Sequence, residues 1–149
     1  MAEIDDIKQL REETGMSMMD IKTVLKESGS DLNEARELLR KRGAEIAHKK
    51  QEREAGEGIV DVYLHSTGKT GVMLDLRCET DFVGKSEEFK TLAHELSLQI
   101  AAMDPESPEE LLAQDYMKDP SKKMEGFLQE YIAKLGEKIV VERFVRYQI

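Results

Sequence analysis

The six residues Thr80-Asp81-Phe82-Val83-Gly84-Lys85 set an aromatic ring beside a carboxylate where an alternating strand pattern has just stopped. Such a pair either folds back as core or projects as an apolar wedge, held on a short loop by the helix that starts near Ser86. Met19 is a second candidate. At about 100° per residue, Met18, Ile21, Val24 and Leu25 share one side of a helix and Met19 lies nearly opposite. A methionine there is either a lone surface residue or a partner contact, its flexible thioether suiting adaptable interfaces. Arg11, on the polar side of the preceding helix, is either a solvated arginine or a charged anchor.

The other reactive groups form no catalytic or metal-ligating pattern. Gly68-Lys69-Thr70 looks like the tail of a phosphate-binding loop, but Tyr63 stands where that motif needs its first glycine; a hairpin turn is the better reading. His48, His65 and His94 lack metal-ligand spacing, and His94-Glu95 lacks the second histidine of a zincin helix. Cys78 is the only cysteine, so it forms no intrachain disulfide and no cysteine zinc site. It falls on the apolar side of its strand, where a buried, inert thiol is expected. The acidic stretch Asp104–Glu130 has no calcium-loop spacing. No catalytic residue, metal site or cofactor is expected, and the chain is not expected to be an enzyme.

Two differently built halves must position these residues. Ile4, Ile7 and Leu10 make a narrow stripe that stops at Thr14-Gly15, with Gly15 a helix-ending residue. Ser17 with Asp20, and Asp31 with Glu34, are start signals for a second and a third helix. Three short helices with Gly-containing turns make a small bundle over residues 1–50, similar in shape to a ubiquitin-associated domain. Residues 51–57 read as a linker with nothing large and apolar to bury. From residue 58, Val60, Val62 and Leu64 alternate with polar positions, and Val72, Leu74, Leu76 and Cys78 do so after Ser66-Thr67-Gly68-Lys69, which predicts a β-hairpin. Ile139–Tyr147 predicts a third strand. Between them Phe89, Leu92, Ala93, Leu96, Ile100 and Met103 share a helical face that Asp104-Pro105 ends, and a further helix is expected near Lys122–Leu135. The fold class is therefore α+β: a three-helix bundle, then a small antiparallel three-stranded sheet packed with helices over residues 58–149.

Charge narrows the function. The chain of 149 residues carries a formal net charge of −9, which argues against nonspecific nucleic-acid binding. The basic cluster Arg36, Arg40, Lys41, Arg42, Lys49 and Lys50 is interleaved with glutamates and has no aromatic residue near it, so a solvated helical face is expected. No apolar segment is long enough to span a bilayer. No basic region followed by an apolar stretch opens the sequence, so no signal peptide and a cytoplasmic location are expected. Three strands leave two sheet edges and little area, which predicts a partner surface.

Two stretches resemble the bacterial translation elongation factor Ts family. Leu10-Arg11-Glu12-Glu13-Thr14-Gly15-Met16-Ser17-Met18-Met19-Asp20-Ile21-Lys22 is similar to its N-terminal signature, followed by Leu38–Arg40 and the Lys-Lys ending at Ala44–Lys50. Cys78-Glu79-Thr80-Asp81-Phe82-Val83 is similar to its second signature, and Ile132–Val141 to its closing segment. Met16 departs from the small residue usual there, and Ile21 stands where cysteine is frequent. The chain is also short: longer members repeat the core and add a coiled-coil hairpin, and even short ones have more chain between the central helix and the last.

The resemblance implies a guanine-nucleotide exchange factor for elongation factor Tu, met in its GDP-bound and nucleotide-free states, with no direct nucleic-acid or membrane partner. In the family the bundle docks on a helix of the GTPase domain, the role implied for Arg11, Met18 and Met19. Asp81 and Phe82 are implied to enter near the nucleotide and disturb magnesium coordination, with Thr80 and Val83 as support. A homodimer is expected, with Leu98 and Phe144 as candidates for burial in it. The alternative is a helical adaptor that binds a partner without exchange activity.

Overall fold

In the N-terminal half, local capping chemistry decides where each helix starts. The computed structural model describes residues 2–149, with side chains from Ile4 onward. Helix α1 (Ala2–Thr14) ends at Gly15, whose φ of +66° is the left-handed conformation that glycine adopts without strain. Helix α2 (Met18–Glu27) starts at Ser17, whose hydroxyl accepts from the Asp20 amide at 3.1 Å and donates to the Asp20 carboxylate at 2.8 Å. Helix α3 (Leu32–Lys49) starts at Asp31, which accepts from Asn33 N at 2.9 Å and Glu34 N at 3.3 Å. Ile7, Leu10, Met16, Ile21, Val24, Leu25, Ala35 and Leu39 form the buried cluster between the three helices. Ile4, the first member of the predicted stripe, is exposed instead.

In the C-terminal half, β1 (Glu57–Leu64) and β2 (Thr70–Cys78) form the predicted hairpin, and β5 (Val140–Gln148) pairs antiparallel with β2 to give the order β1-β2-β5. The Gly68-Lys69-Thr70 segment closes the hairpin and opens β2, with Gly68 at φ +72°. The central strand β2 turns Val72, Leu74, Leu76 and Cys78 toward α5 (Glu87–Met103), and all four are buried. Phe89, Leu92, Ala93, Leu96 and Ile100 of α5 meet them, burial that supplies the main stabilisation of this half. Helix α7 (Met124–Leu135) covers the same core with Phe127, Leu128 and Ile132. Between α5 and α7 lie two elements the periodicity did not separate: α6 (Pro108–Ala113) and a two-stranded ribbon, β3 (Asp115–Tyr116) with β4 (Asp119–Lys123). Buried Gln99 anchors that ribbon, donating to the Asp115 carbonyl and accepting from Met117 N.

A bulge changes the phase of β5. The pairing shifts between Asp75 and Leu76, which face Arg143 and Val141, leaving Glu142 as the extra residue. Val141 and, beyond the bulge, Phe144 therefore both turn inward, and Phe144 packs against the core. Phe144 therefore lies on the inward face of β5, not off the main apolar face as the sequence suggests, and it is half-buried there, as Leu98 is on α5. The open apolar surface is instead the outer sheet face. There Val62, Met73 and Val145 form one row across the three strands, and Leu64, Gly71 and Tyr147 the next.

The halves meet along α3 and α7. Ala47 of α3 belongs to the buried cluster of the C-terminal half, and Ala133 of α7 packs against that of the bundle. A Cβ built on Gly15 would lie 2.6 Å from Cγ of Lys134, so the α1–α2 turn rests against the end of α7. A cavity of about 350 Å³ opens along this seam. Its charged groups are paired, Arg36 with Glu13 at 2.8 Å and Lys122 with Glu130 at 3.0 Å.

Candidate functional site

Strand β2 ends at Cys78, and within three residues the chain enters α4, a single helical turn over Asp81–Gly84. Thr80 caps it, its hydroxyl accepting from Val83 N at 3.3 Å. Ser86 closes the other side, donating to the Val83 carbonyl at 2.7 Å and accepting from Phe89 N at 3.2 Å to start α5. Val83 and Gly84 point inward and are buried. A helical turn puts the two residues before Val83 on the opposite side, and Phe82 is 84% exposed. Of the two readings open for this ring, the turn realises projection. Asp81 is exposed beside it, 3.5 Å from Lys85.

A carboxylate distant in sequence holds this turn. Glu137, between α7 and β5, accepts from Glu79 N at 3.1 Å and Thr80 N at 3.0 Å through one oxygen. Its other oxygen accepts from the Thr80 hydroxyl at 2.7 Å. Glu79 returns the contact, accepting from Lys138 N at 2.9 Å, and is 3.5 Å from Arg53. No spacing in the sequence singles out Glu137, which lies within the Ile132–Val141 segment.

Cys78 lies under the turn, fully buried, its thiol donating to the Thr80 carbonyl at 3.1 Å. Burial, with the nearby Glu137 carboxylate adding to it, pushes the thiol pKa up to about 11. The thiol is therefore protonated near neutrality and packs as a small apolar group, not as a nucleophile. Among the described residues no group of three or more histidine, cysteine, aspartate or glutamate side chains is arranged to hold a metal ion.

On the bundle, Met19 is 80% exposed and Arg11 is exposed on α1. Met18 is also exposed, at 45%, although the wheel groups it with buried Ile21, Val24 and Leu25. It is the first helical residue of α2, its side chain leans toward the N-terminus, and no earlier turn covers it. Buried Met16, in the α1–α2 turn, fills the bundle core instead. Arg11, Met18 and Met19 thus belong to the bundle surface, and Thr80 to Val83 to the strand-to-helix turn of the other half. Arg36, Arg40 and Arg42 of the basic cluster pair with Glu13, Glu37 and Asp20.

Comparison with known proteins gives one family. The model of the family described as Elongation factor TS matches residues 79–149. Elongation factor Ts of Moorella thermoacetica is 38% identical over 189 aligned positions that cover 97% of this chain and 93% of the relative. That of Rubrobacter xylanophilus is 38% identical, covering 99% and 98%. That of Nostoc punctiforme is 44% identical over 143 positions, covering 96% of this chain and 45% of the relative. Roughly 44 positions of the Moorella alignment have no counterpart in this chain.

Proposed function

The chain belongs to the elongation factor Ts family, and from that premise we propose that it is a cytoplasmic guanine-nucleotide exchange factor for elongation factor Tu. The observation that carries the reading is Phe82, an aromatic ring 84% exposed on a turn that buried Val83 and Gly84 root in the core and that Thr80 and Ser86 hold by hydrogen bonds. In this reading the ring and the Asp81 carboxylate enter the GTPase beside its nucleotide and displace the Mg²⁺ ion. Thr80 caps the turn, and Val83 roots it in the core. Magnesium bridges phosphate oxygens to the GTPase, so its loss removes a large local charge that retains GDP. Linkage sets the energetics: a factor that binds the nucleotide-free GTPase more tightly than the GDP-bound form weakens GDP binding by the same ratio. Residues of this chain make and break no covalent bond.

Arg11, Met18 and Met19 are the docking contacts in this reading, their exposure suiting them to a partner's helix. The division into a docking bundle at 1–50, a linker at 51–57 and an exchange core at 58–149 is supported by two separate clusters of buried side chains. A homodimer is supported by the apolar outer sheet face, where exposed Val62, Met73 and Val145 lie in one row. Light scattering tests it, and a monomer mass that persists on concentration would overturn it.

The deciding experiment adds catalytic amounts of the protein to elongation factor Tu loaded with a fluorescent GDP. Accelerated release is expected. Binding without acceleration would refute exchange and leave the adaptor reading standing.

A further inference from the structure

We propose that Glu137 is a positioning residue for exchange: its carboxylate clasps Glu79 and Thr80 and so fixes the turn that projects Phe82. This rests on the exchange reading above. Phe82 is almost wholly exposed, so contacts of its own ring do not orient it; the backbone of the turn does. That backbone is pinned at Val83, at Ser86 and at Thr80. Of these, only Thr80 is exposed, and an exposed cap exchanges readily with water unless a second group retains it.

Glu137 is that group. One carboxylate accepts three hydrogen bonds from two consecutive residues, 57 and 58 positions away. Bonds to an ionised acceptor are the stronger class. The Thr80 hydroxyl donates to Glu137 while accepting from Val83 N, so the carboxylate also sets the direction of the cap. The return bond from Lys138 N to Glu79 closes the clasp. The exit of β2 and the entry of β5 are thereby locked together directly before the ring.

The test has an arm that needs no GTPase. Cys78, the single thiol, sits fully buried beneath the turn and bonds to the Thr80 carbonyl, so its labelling by an aromatic disulfide reagent reports opening of the turn once each rate is corrected, from its pH dependence, for the thiolate fraction that the Glu137 charge itself influences. Glu137→Ala is expected to speed labelling about tenfold or more, the loss of charged hydrogen bonds, with little dependence on low urea, as local opening requires. Glu137→Gln, whose amide oxygen still accepts from the two backbone amides, should show a smaller rise. In the exchange arm Glu137→Ala is expected to lower the maximal GDP-release rate about tenfold while leaving the half-saturating concentration unchanged. In a Phe82→Ala background it should add less than about twofold, because both changes act through one ring.

Unchanged labelling overturns the proposal, and so does an unchanged maximal rate. So does an equal slowing of wild type and Phe82→Ala by the glutamate change, which would mean that Glu137 acts elsewhere. If Glu137→Ala fails to fold, the same comparisons are read on Glu137→Gln. If the wild type releases no GDP, the exchange reading falls, and the labelling arm still decides whether the clasp holds the turn.

Discussion

Truncating Phe82 to alanine separates two free energies that a core phenylalanine would combine. The ring is 84% exposed in the free protein, and a phenylalanine offers roughly 200 Å² for burial. About a sixth of that is covered, so at about 25 cal/mol per Å² its removal costs folding less than about 1 kcal/mol. If docking buries the remainder, the same coefficient gives about 4 kcal/mol, an upper figure because ordering and imperfect fit subtract from it. At about 1.4 kcal/mol per decade, Phe82→Ala should slow catalysed GDP release by up to about three orders of magnitude. The assay pairs release of a fluorescent GDP from elongation factor Tu with urea unfolding of the free variant. Release within about twofold of wild type would remove Phe82 from the mechanism, whereas a stability loss of about 3–5 kcal/mol would mark the ring as core.

Met19→Ala and Arg11→Ala should each weaken affinity for elongation factor Tu by about 1–2 kcal/mol in titrations, with helical signal and melting temperature unchanged; unaltered binding in both would make them bystanders. Gly15→Ala should destabilise more than Gly29→Ala in urea. Both glycines have positive φ, but only at Gly15 does the new Cβ meet Lys134, at 2.6 Å, while Gly29 has open space. Equal losses would mean that the α1–α2 turn does not bear on α7. On acidification the melting temperature should fall. The Arg77 and Arg143 guanidiniums hold the Asp75 carboxyl below its ordinary value, and Arg36 does the same for Glu13. Carboxylates with lowered folded-state pKa stabilise fully above the ordinary carboxylate range, and lose that contribution as pH drops through the folded value. Asp75→Asn should flatten this acid limb; an acid limb identical to wild type would show that the Asp75 cluster does not cause it.

What could be read from the sequence was local. Ser17, Asp31 and Ser86 act within three residues of themselves, so their caps were visible or close to visible as short patterns. The hairpin and α5 follow from periods of two and 3.6 sustained over several turns of pattern. Contacts that join distant segments were not visible. The β5 bulge is one extra residue whose effect on Phe144 exists only relative to β2. The Glu137 clasp spans 57 residues. The β3–β4 ribbon has too few residues for any period and depends on Gln99 of α5. Phe82 lay between these cases: its type and neighbours were legible, but its direction depended on Val83 rather than Phe82 taking the inward position of α4. The wheel's grouping of Met18 with buried residues differs from the structure for a simpler reason, since a helical wheel has no ends and Met18 occupies one.

The contact between Gly15 and Lys134 has a consequence for how two separated surfaces can act on one partner. Lys134 lies three residues before Glu137, so the α1–α2 turn that leads into Met18 and Met19 leans on the same helix end that leads to the Phe82 clasp. Helix α7 works as a strut between two prongs. If the two surfaces engage elongation factor Tu as proposed, then once the bundle prong has docked, the Phe82 prong is presented at a set reach, and its encounter becomes intramolecular, with the high effective concentration that a short rigid spacer confers. A ring that binds weakly by itself can then work against tightly held nucleotide.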